Sequence, residues 1–188
     1  MARSGMSNLL TRTRRMVDDT GTAVWTDDQL QDILDEHRLF VHREPLERIK
    51  RLTSGTSHVY TTFRSRYDNF EEVTSGTAVF QVEDSAGSQK GTANWSANYI
   101  NGVVEFTADQ EGTSIYLTGY SYDLAGAAAQ AWRERMAKVS SYYDFQADGH
   151  RLSRTQWFDH CQRMAAYYDQ QARPITVRSW QVASADQY

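Results

Sequence analysis

The distribution of glycine constrains the fold of this chain more than any other feature of its sequence. Seven of the eleven glycines fall between residues 53 and 122, where apolar and polar residues alternate with the period of a β-strand. On both sides of this region apolar residues recur at steps of three and four, the period of an α-helix. We therefore predict an α+β fold in which a helical bundle from both chain ends carries an inserted antiparallel β subdomain.

This pattern divides the chain into four segments. We assign residues 1–52 to N-terminal helices, 53–122 to the β subdomain, 123–173 to a helical hairpin and 174–188 to a C-terminal tail. A chain of 188 residues with 40% hydrophobic and 23% charged residues can bury a core of ordinary size, which excludes wholesale disorder.

The N-terminal segment contains two predicted helices. The first covers residues 7–19 and has one apolar side. That side carries Leu9, Leu10, Thr13 and Val17. The second helix starts at Thr26, which forms a capping-box pattern with Gln29, and apolar residues at helical spacing extend it to Val41.

Two longer helices are predicted after the β subdomain. One covers residues 123–145, and the other starts at the capping-box pattern of Ser153 and Gln156. The second of them ends before Pro174, because proline cannot donate a hydrogen bond within a helix. We expect the two helices to form an antiparallel hairpin.

The apolar stripes of these longer helices carry two large aromatic residues. Trp132 lies on the first stripe and Trp157 on the second, so we predict that both side chains are substantially buried. The alanine run at 127–129 leaves room for another backbone to come close.

Strands are predicted where apolar and polar residues alternate. These segments lie at 59–64, 78–83 and 115–120. Between them, Asn101-Gly102 predicts a two-residue type I′ turn that joins strands at 99–100 and 103–106, because both central positions of that turn require positive φ.

The charge balance argues against a chain built for nucleic acid. Its 20 Lys+Arg stand against 24 Asp+Glu, a formal net charge of -4, so any DNA contact must be local. The clearest basic cluster is Arg12, Arg14 and Arg15, which we assign as a candidate anion contact; the alternative is a solvated helix face.

The cysteine content and the hydropathy of the chain indicate where in the cell it is expected. Cys161 is the single cysteine, which leaves no intramolecular disulfide and fits a reducing cytoplasm. No apolar run approaches the ~18 residues of a membrane span, so we expect no membrane partner.

The sequence offers no recognisable catalytic chemistry. The P-loop, GxSxG, HExxH and EF-hand patterns are all missing, and the five histidines are scattered. The acidic cluster between Asp27 and Glu36 is dense enough for a cation site, but acids along one helix more often form a solvated face. Cys161 lies in an apolar stripe, which favours an inert core thiol over a nucleophile. We expect no catalytic residue, no cofactor and no metal, and no enzymatic activity.

Several sequence segments together resemble one known family, the head-tail adaptor or connector proteins of long-tailed bacteriophages. They are LLTRTRRMVDD at 9–19, VWTDDQL at 24–30, ILD at 33–35, YLTGY at 116–120 with YD at 122–123, the alanine-rich helix through Trp132, YDF at 143–145 and SRTQ at 153–156. The resemblance covers the two N-terminal helices and residues from about 103 to 174, roughly two thirds of the chain. The extended β segment at 53–106 departs from it, being much larger than the connection in minimal adaptors.

The resemblance implies a structural role. Proteins of that family form a ring, normally of twelve copies, below the portal of the phage head, and the ring keeps a channel open for DNA. The implied site is the virion neck, assembled in the host cytoplasm. The implied partners are the portal protein, a tail-side neck or tail terminator protein, further copies of this chain, and DNA that passes without specific binding.

Two groups of residues are assigned to this role. The acids Asp28, Asp32 and Asp35 are candidates for the channel lining, since a ring of acidic subunits would repel DNA. The alternating apolar residues of the tail are candidates for docking to the portal or to a neighbouring subunit, where the tail would become ordered. These residues are Ile175, Val177, Trp180 and Val182.

Other functions compete with this interpretation. The main alternative is a carbohydrate- or host-protein-binding module on the β subdomain, which exposed aromatic residues on the strands would favour. A DNA-binding regulator that uses Arg12, Arg14 and Arg15 would bind DNA in a strongly salt-dependent way. The third alternative is an enzyme, but the sequence contains no recognisable catalytic site.

Overall fold

Helices near both chain ends flank a run of antiparallel strands. The structure, a computed structural model, describes residues 2–52, 58–73, 79–140, 145–147, 150–152 and 154–173. Within these ranges the helices are α1 (Ser7–Met16), α2 (Asp27–Glu36), α3 (Leu124–Ser140) and α4 (Arg154–Asp169), with 3-10 turns at Ser4–Met6 and Thr92–Asn94. The mixed α+β class predicted from the sequence is confirmed.

The first two helices begin where local signals predict. The buried residues of α1 include Leu9, Leu10 and Thr13, which is the predicted apolar side. At the start of α2, the Thr26 hydroxyl oxygen accepts the N–H of Gln29 at 3.2 Å, and the Gln29 side chain accepts the N–H of Thr26 at 3.0 Å. The capping box is therefore confirmed, with two otherwise unpaired N–H groups satisfied.

Helix α2 ends at Glu36, so the prediction that it continues to Val41 is wrong. Residues 38–45 form strand β1 (Arg38–Pro45), which pairs antiparallel with β7 (Ile115–Tyr122). Val41 is buried among the strands. The segment becomes a strand because pairing with β7 satisfies its backbone groups, and that partner lies far away in the sequence. Strand structure thus begins before residue 53, where the glycine pattern places the start of the β subdomain.

The strands form two larger antiparallel sheets. The first has the order β1-β7-β4, with β4 at Phe80–Asp84. The second has the order β2-β3-β6-β5. Its strands are β2 (Glu47–Leu52), β3 (His58–Arg64), β5 (Trp95–Asn98) and β6 (Val103–Phe106). The strand segments predicted around 59–64, 78–83 and 115–120 are confirmed where the structure describes them; β7 runs two residues further.

The predicted hairpin around Asn101-Gly102 exists, but its turn differs. Asn98 pairs with Val103, so the loop between the strands holds four residues rather than two. A type I′ turn requires positive φ at both Asn101 and Gly102, but only Gly102 has it, at +62°. Carbonyl groups of the loop accept the N–H groups of Ser65, Asn69 and Phe70 at 2.8 to 3.0 Å. A two-residue turn could not present these carbonyls, and the tertiary contact therefore decides the loop length.

Gly102→Ala should destabilise the protein more than Gly112→Ala does. Both glycines have positive φ, +62° and +75°, which costs alanine about 1 kcal/mol. A Cβ atom at residue 102 would also overlap the carbonyl oxygen of Tyr67, whereas nothing lies within 4 Å of one at residue 112. Urea denaturation should show a loss of about 1 kcal/mol for Gly112→Ala and at least about 2 kcal/mol for Gly102→Ala. Equal losses would contradict the close packing of this loop.

Helices α3 and α4 lie antiparallel, as predicted, but both are shorter than expected. Helix α3 ends at Ser140, and Phe145 belongs to strand β8 (Phe145–Ala147), which pairs with β9 (His150–Leu152). Helix α4 ends at Asp169, and the N–H of Arg173 donates to the Asp123 carboxylate at 2.8 Å. That contact ties the end of the described chain to the start of α3.

Two buried clusters stabilise the fold. The helical cluster combines residues from α1 to α4 around Trp25, Trp132 and Cys161. The strand cluster contains aromatic residues from both larger sheets, among them Phe63, Phe80 and Phe106. The alanines at 127–129 are fully buried, as their small size predicts. Trp132 is buried, but Trp157 is 36% exposed, so the prediction for Trp157 is wrong.

Candidate assembly surfaces

The three arginines predicted to contact an anion do not form one surface. Arg14 is buried, and its guanidinium pairs with Asp19 at 3.1 Å and Asp27 at 2.6 Å. The guanidinium of Arg12 donates to the Asn69 side chain, whereas Arg15 is exposed. Arg14 therefore stabilises the link between α1 and α2, and the prediction of an anion contact by all three arginines is wrong.

Asp19 holds that link in place. Its carboxylate accepts the N–H groups of Ala23, Val24 and Trp25 at 2.8 to 3.1 Å. Burial alone would raise the pKa of Asp19, but these three donors and the charge of Arg14 outweigh it and lower the pKa. The ionised carboxylate therefore organises the turn that leads into α2.

The three acids predicted to line a channel occupy different environments. Asp28 and Asp32 are exposed on α2. Asp35 instead receives two hydrogen bonds from the Arg3 guanidinium, at 2.9 and 2.7 Å. Asp28 and Asp32 are therefore the exposed members of this set, whereas Asp35 takes part in holding Arg3.

Arg3 connects α2 to the strands through a polar network. Its Nε donates to the buried carboxylate of Glu71 at 3.0 Å, and the Tyr122 hydroxyl donates to the same carboxylate at 2.9 Å. Burial, together with the charge of Glu71, raises the pKa of Tyr122. The hydrogen bonds to Asp35 raise the pKa of Arg3. The network keeps the phenol protonated and fixes the N-terminal segment against β7.

A cleft of about 290 Å³ lies where α1, the start of α3 and the end of α4 meet. Its polar lining is largely paired. Arg173 donates to the Ser121 hydroxyl at 2.7 Å and pairs with Asp68, and Arg12 donates to Asn69. These contacts connect helices and strands, so the cleft lies at a structural junction.

The remaining chemical candidates are structural or unclustered. Cys161 is fully buried, and burial raises the pKa of its thiol, as expected for a core residue. Within the described ranges, no group of three His, Cys, Asp or Glu side chains converges as metal ligands. No helix in those ranges is long and apolar enough to cross a membrane.

Strand β1 presents an apolar edge that the sequence interpretation missed. Leu39 is 42% exposed and Phe40 is 51% exposed, on opposite faces of the strand. The Phe40 ring packs on Tyr120 at 5.1 Å, and the guanidinium of Arg38 lies 4.5 Å from the Tyr120 ring centre. The apolar run of residues 39–41 before Pro45 is a strand signal that the helical spacing obscured.

Helix α4 presents a second exposed apolar group. Tyr167 is 54% exposed, and Trp157 keeps about a third of its surface in solvent. The guanidinium of Arg135 lies 5.0 Å from the Trp132 ring centre and 4.9 Å from that of Trp157. This holds the exposed indole beside the buried one. Pairs of large apolar side chains thus remain exposed on β1 and α4, while Ile49 of β2 and Val73 are exposed singly.

The predicted docking residues of the tail, Ile175, Val177, Trp180 and Val182, lie outside the described residues. Comparison of the chain with known protein families, with curated proteins and with solved structures found no match.

Proposed function

We propose that this chain is a structural subunit of the ring that joins the portal of a tailed bacteriophage head to its tail. The observation that carries the proposal is the exposure of a pair of large apolar side chains on each of two separate elements, Leu39 and Phe40 on β1 and Trp157 and Tyr167 on α4. A closed ring requires two different, complementary patches on each subunit, since every contact is heterologous. The sequence resemblance supplies the ring number, twelve, and the partners: the portal on one side and a tail-side neck or terminator protein on the other.

The proposed division of labour follows the two buried clusters. Helices from both chain ends share one cluster, which supports a rigid helical bundle as the ring-building part. The strands have their own cluster and would form the inserted subdomain. The tail residues Ile175, Val177, Trp180 and Val182 would dock on the portal or on a neighbouring subunit.

The channel of the proposed ring carries DNA without binding it specifically. Asp28 and Asp32 are exposed on α2, and repeated acids around a channel repel phosphate. We therefore place that face of α2 toward the channel. Electron microscopy of the ring on its portal tests this; α2 on the outer surface of the ring would refute it.

Phage particles that lack this protein should package DNA and then leak it, and they should fail to join tails. The reason is that the ring bridges two assemblies that do not otherwise meet. Counting DNA-filled heads and tailed particles by electron microscopy checks the result, with the restored wild-type chain as control. Tail attachment at normal efficiency would overturn the proposal.

The two apolar patches allow a sharper test of ring closure. Phe40→Asp removes the β1 patch and Tyr167→Asp the α4 patch, and both side chains are more than half exposed, so the fold should tolerate the changes. Neither variant should form rings on the portal of the same phage. In an equimolar mixture, each variant supplies the patch that the other lacks, so pairs should form without closing into a ring. A single variant that still closes rings would show that its patch is not part of the subunit contact.

A carbohydrate- or host-protein-binding module is the second candidate, favoured by the exposed Phe40 ring beside Tyr120. Aromatic rings on strands can stack against sugars or anchor a protein partner. A glycan array with wild type and Phe40→Ala decides between the candidates: Phe40-dependent binding to one glycan class favours this module, and its absence favours the ring.

A further inference from the structure

The hairpin formed by β2 and β3 is positively charged, although the chain as a whole is acidic. Between residues 46 and 67 the sequence holds five lysines and arginines and a single acid, Glu47, while the whole chain has a net charge of -4. The basic residues are Arg48, Lys50, Arg51, Arg64 and Arg66. All five are exposed.

Most of these charges take no part in holding the fold. No carboxylate in the described part of the chain pairs with Lys50, Arg51 or Arg64, and Arg48 makes only a 3.4 Å hydrogen bond to Ser114. Arg66 lies 3.7 Å from Glu44. By contrast, Arg3, Arg14, Arg133 and Arg173 each pair with a carboxylate. The hairpin therefore leaves Lys50, Arg51 and Arg64 available to a partner.

The strand register makes the hairpin a projecting two-stranded ribbon. Strand β3 pairs with β6 only through residues 62–64, and Tyr60 is held by hydrogen bonds from Gln110 and to Asp109. Beyond that point β2 and β3 pair only with each other among the described strands, as far as Leu52 and His58.

Lys50 and Arg51 lie on the free part of this ribbon, whereas Arg48 and Arg64 lie at its base, in the rows where β3 also pairs with β6. Arg48 pairs with Phe63 and Arg51 with Val59, and residues 59 and 63 share one face because side chains alternate along a strand. Arg64 lies on the opposite face by the same alternation. The hairpin therefore presents exposed cations on its free part and on both sheet faces at its base, where Glu47 lies opposite Arg64, and such an arrangement can contact the phosphates along a DNA groove.

We propose that the β2–β3 hairpin binds the phosphate backbone of double-stranded DNA without reading its sequence. The major groove of DNA is wide enough for a two-stranded ribbon, and lysine and arginine contacts to phosphate supply sequence-independent affinity. The contact goes beyond the proposed ring, because a single subunit can make it. The local anion contact predicted from the sequence for the arginines of α1 would then be made by this hairpin instead.

The other reading of these charges is protection of an edge strand. Charged side chains on β2 hinder pairing with another sheet, and that role requires no ligand. The two readings differ in one measurable property, binding of DNA by the folded, full-length chain.

Fluorescence anisotropy with a mixed-sequence duplex of about 30 base pairs tests the proposal between 50 and 200 mM NaCl. With about four phosphates neutralised, the logarithm of the binding constant should fall with the logarithm of salt at a slope of about -3.6, so affinity should drop roughly 100-fold over this range. Lys50→Gln with Arg51→Gln should reduce the magnitude of the slope by about 2 and weaken binding at least tenfold at 50 mM.

A matched variant controls for the loss of two positive charges. Arg15→Gln with Arg163→Gln removes exposed cations from α1 and α4 and should change affinity by less than about twofold if phosphate contacts lie in the hairpin. Should Lys50→Gln with Arg51→Gln melt early, Arg64→Gln tests an exposed cation at the base of the same hairpin. No binding by wild type at 50 mM, or equal weakening by the control, would overturn the proposal. So would binding to phosphatidylserine vesicles without binding to the duplex.

Discussion

Trp132→Ala is expected to lower the free energy of unfolding by about 3 to 5 kcal/mol, because it empties the centre of the helical cluster. Trp132 is 1% exposed, and its indole N–H donates to the carbonyl oxygen of Met16 at 3.1 Å. The truncation thus removes a large apolar volume and leaves a carbonyl without its donor. Denaturation in urea, followed by circular dichroism, measures the loss. Trp132→Phe keeps most of the volume and should lose considerably less.

Trp157→Ala is the matched control, since the same atoms are removed from the neighbouring helix. Trp157 keeps 36% of its surface in solvent and stacks on His160 with ring centres 5.5 Å apart. Water can occupy the vacated space at such a site, so we expect at most half of the loss at Trp132. Losses of equal size would show that α4 packs more tightly around Trp157 than its exposure indicates.

Asp19→Asn is expected to lower the free energy of unfolding by about 3 kcal/mol at neutral pH. The change removes one partner of a buried ion pair, which typically costs about 3 to 5 kcal/mol. The lower end applies because Asp27 still pairs with Arg14 at 2.6 Å. Asp18→Asn is the matched control: Asp18 is exposed, and its φ of +52° is one that asparagine tolerates. It should change stability by less than about 0.5 kcal/mol.

The contribution of Asp19 should also depend on pH. Its pKa in the folded protein lies below the ordinary value of 3.8, so its ionisation stabilises the fold fully above that value. The stabilisation is lost as the pH falls through the lower, folded-state pKa. The difference in stability between wild type and Asp19→Asn should therefore shrink below about pH 4. A difference that stays constant down to pH 3 would contradict the role of the ionised carboxylate.

The two edge strands β1 and β2 differ in the kind of residue that they expose. An edge strand with apolar side chains on both faces, such as β1 with Leu39 and Phe40, invites pairing with other chains. Monomeric proteins usually cover or charge such an edge. On β2, charged residues stand on both sides of Ile49, which is 38% exposed. The contrast between the two edges in this protein supports β1 as a surface for subunit contact and β2 as a surface for a polyanion.

Interactions between residues close in sequence fixed the features that could be predicted. The capping box of Thr26 and Gln29 joins residues three apart, and the apolar side of α1 follows from the helical period. The burial of the alanine run and of Cys161 follows from the same period in α3 and α4. The division into helical and strand regions, and hence the α+β class, required only the spacing of apolar residues and glycines.

The remaining features depend on partners far away in the sequence. Strand β1 exists because β7 pairs with it. The loop at 99–102 has four residues because its carbonyl groups accept the N–H groups of Ser65, Asn69 and Phe70. Arg14 is buried because the turn after α1 brings Asp19 and Asp27 around it. Trp157 stays partly exposed although its helical position resembles that of Trp132. Sequence periodicity indicates which side of an element is apolar, but only the tertiary structure decides what covers that side, because burial depends on elements brought together by the whole chain.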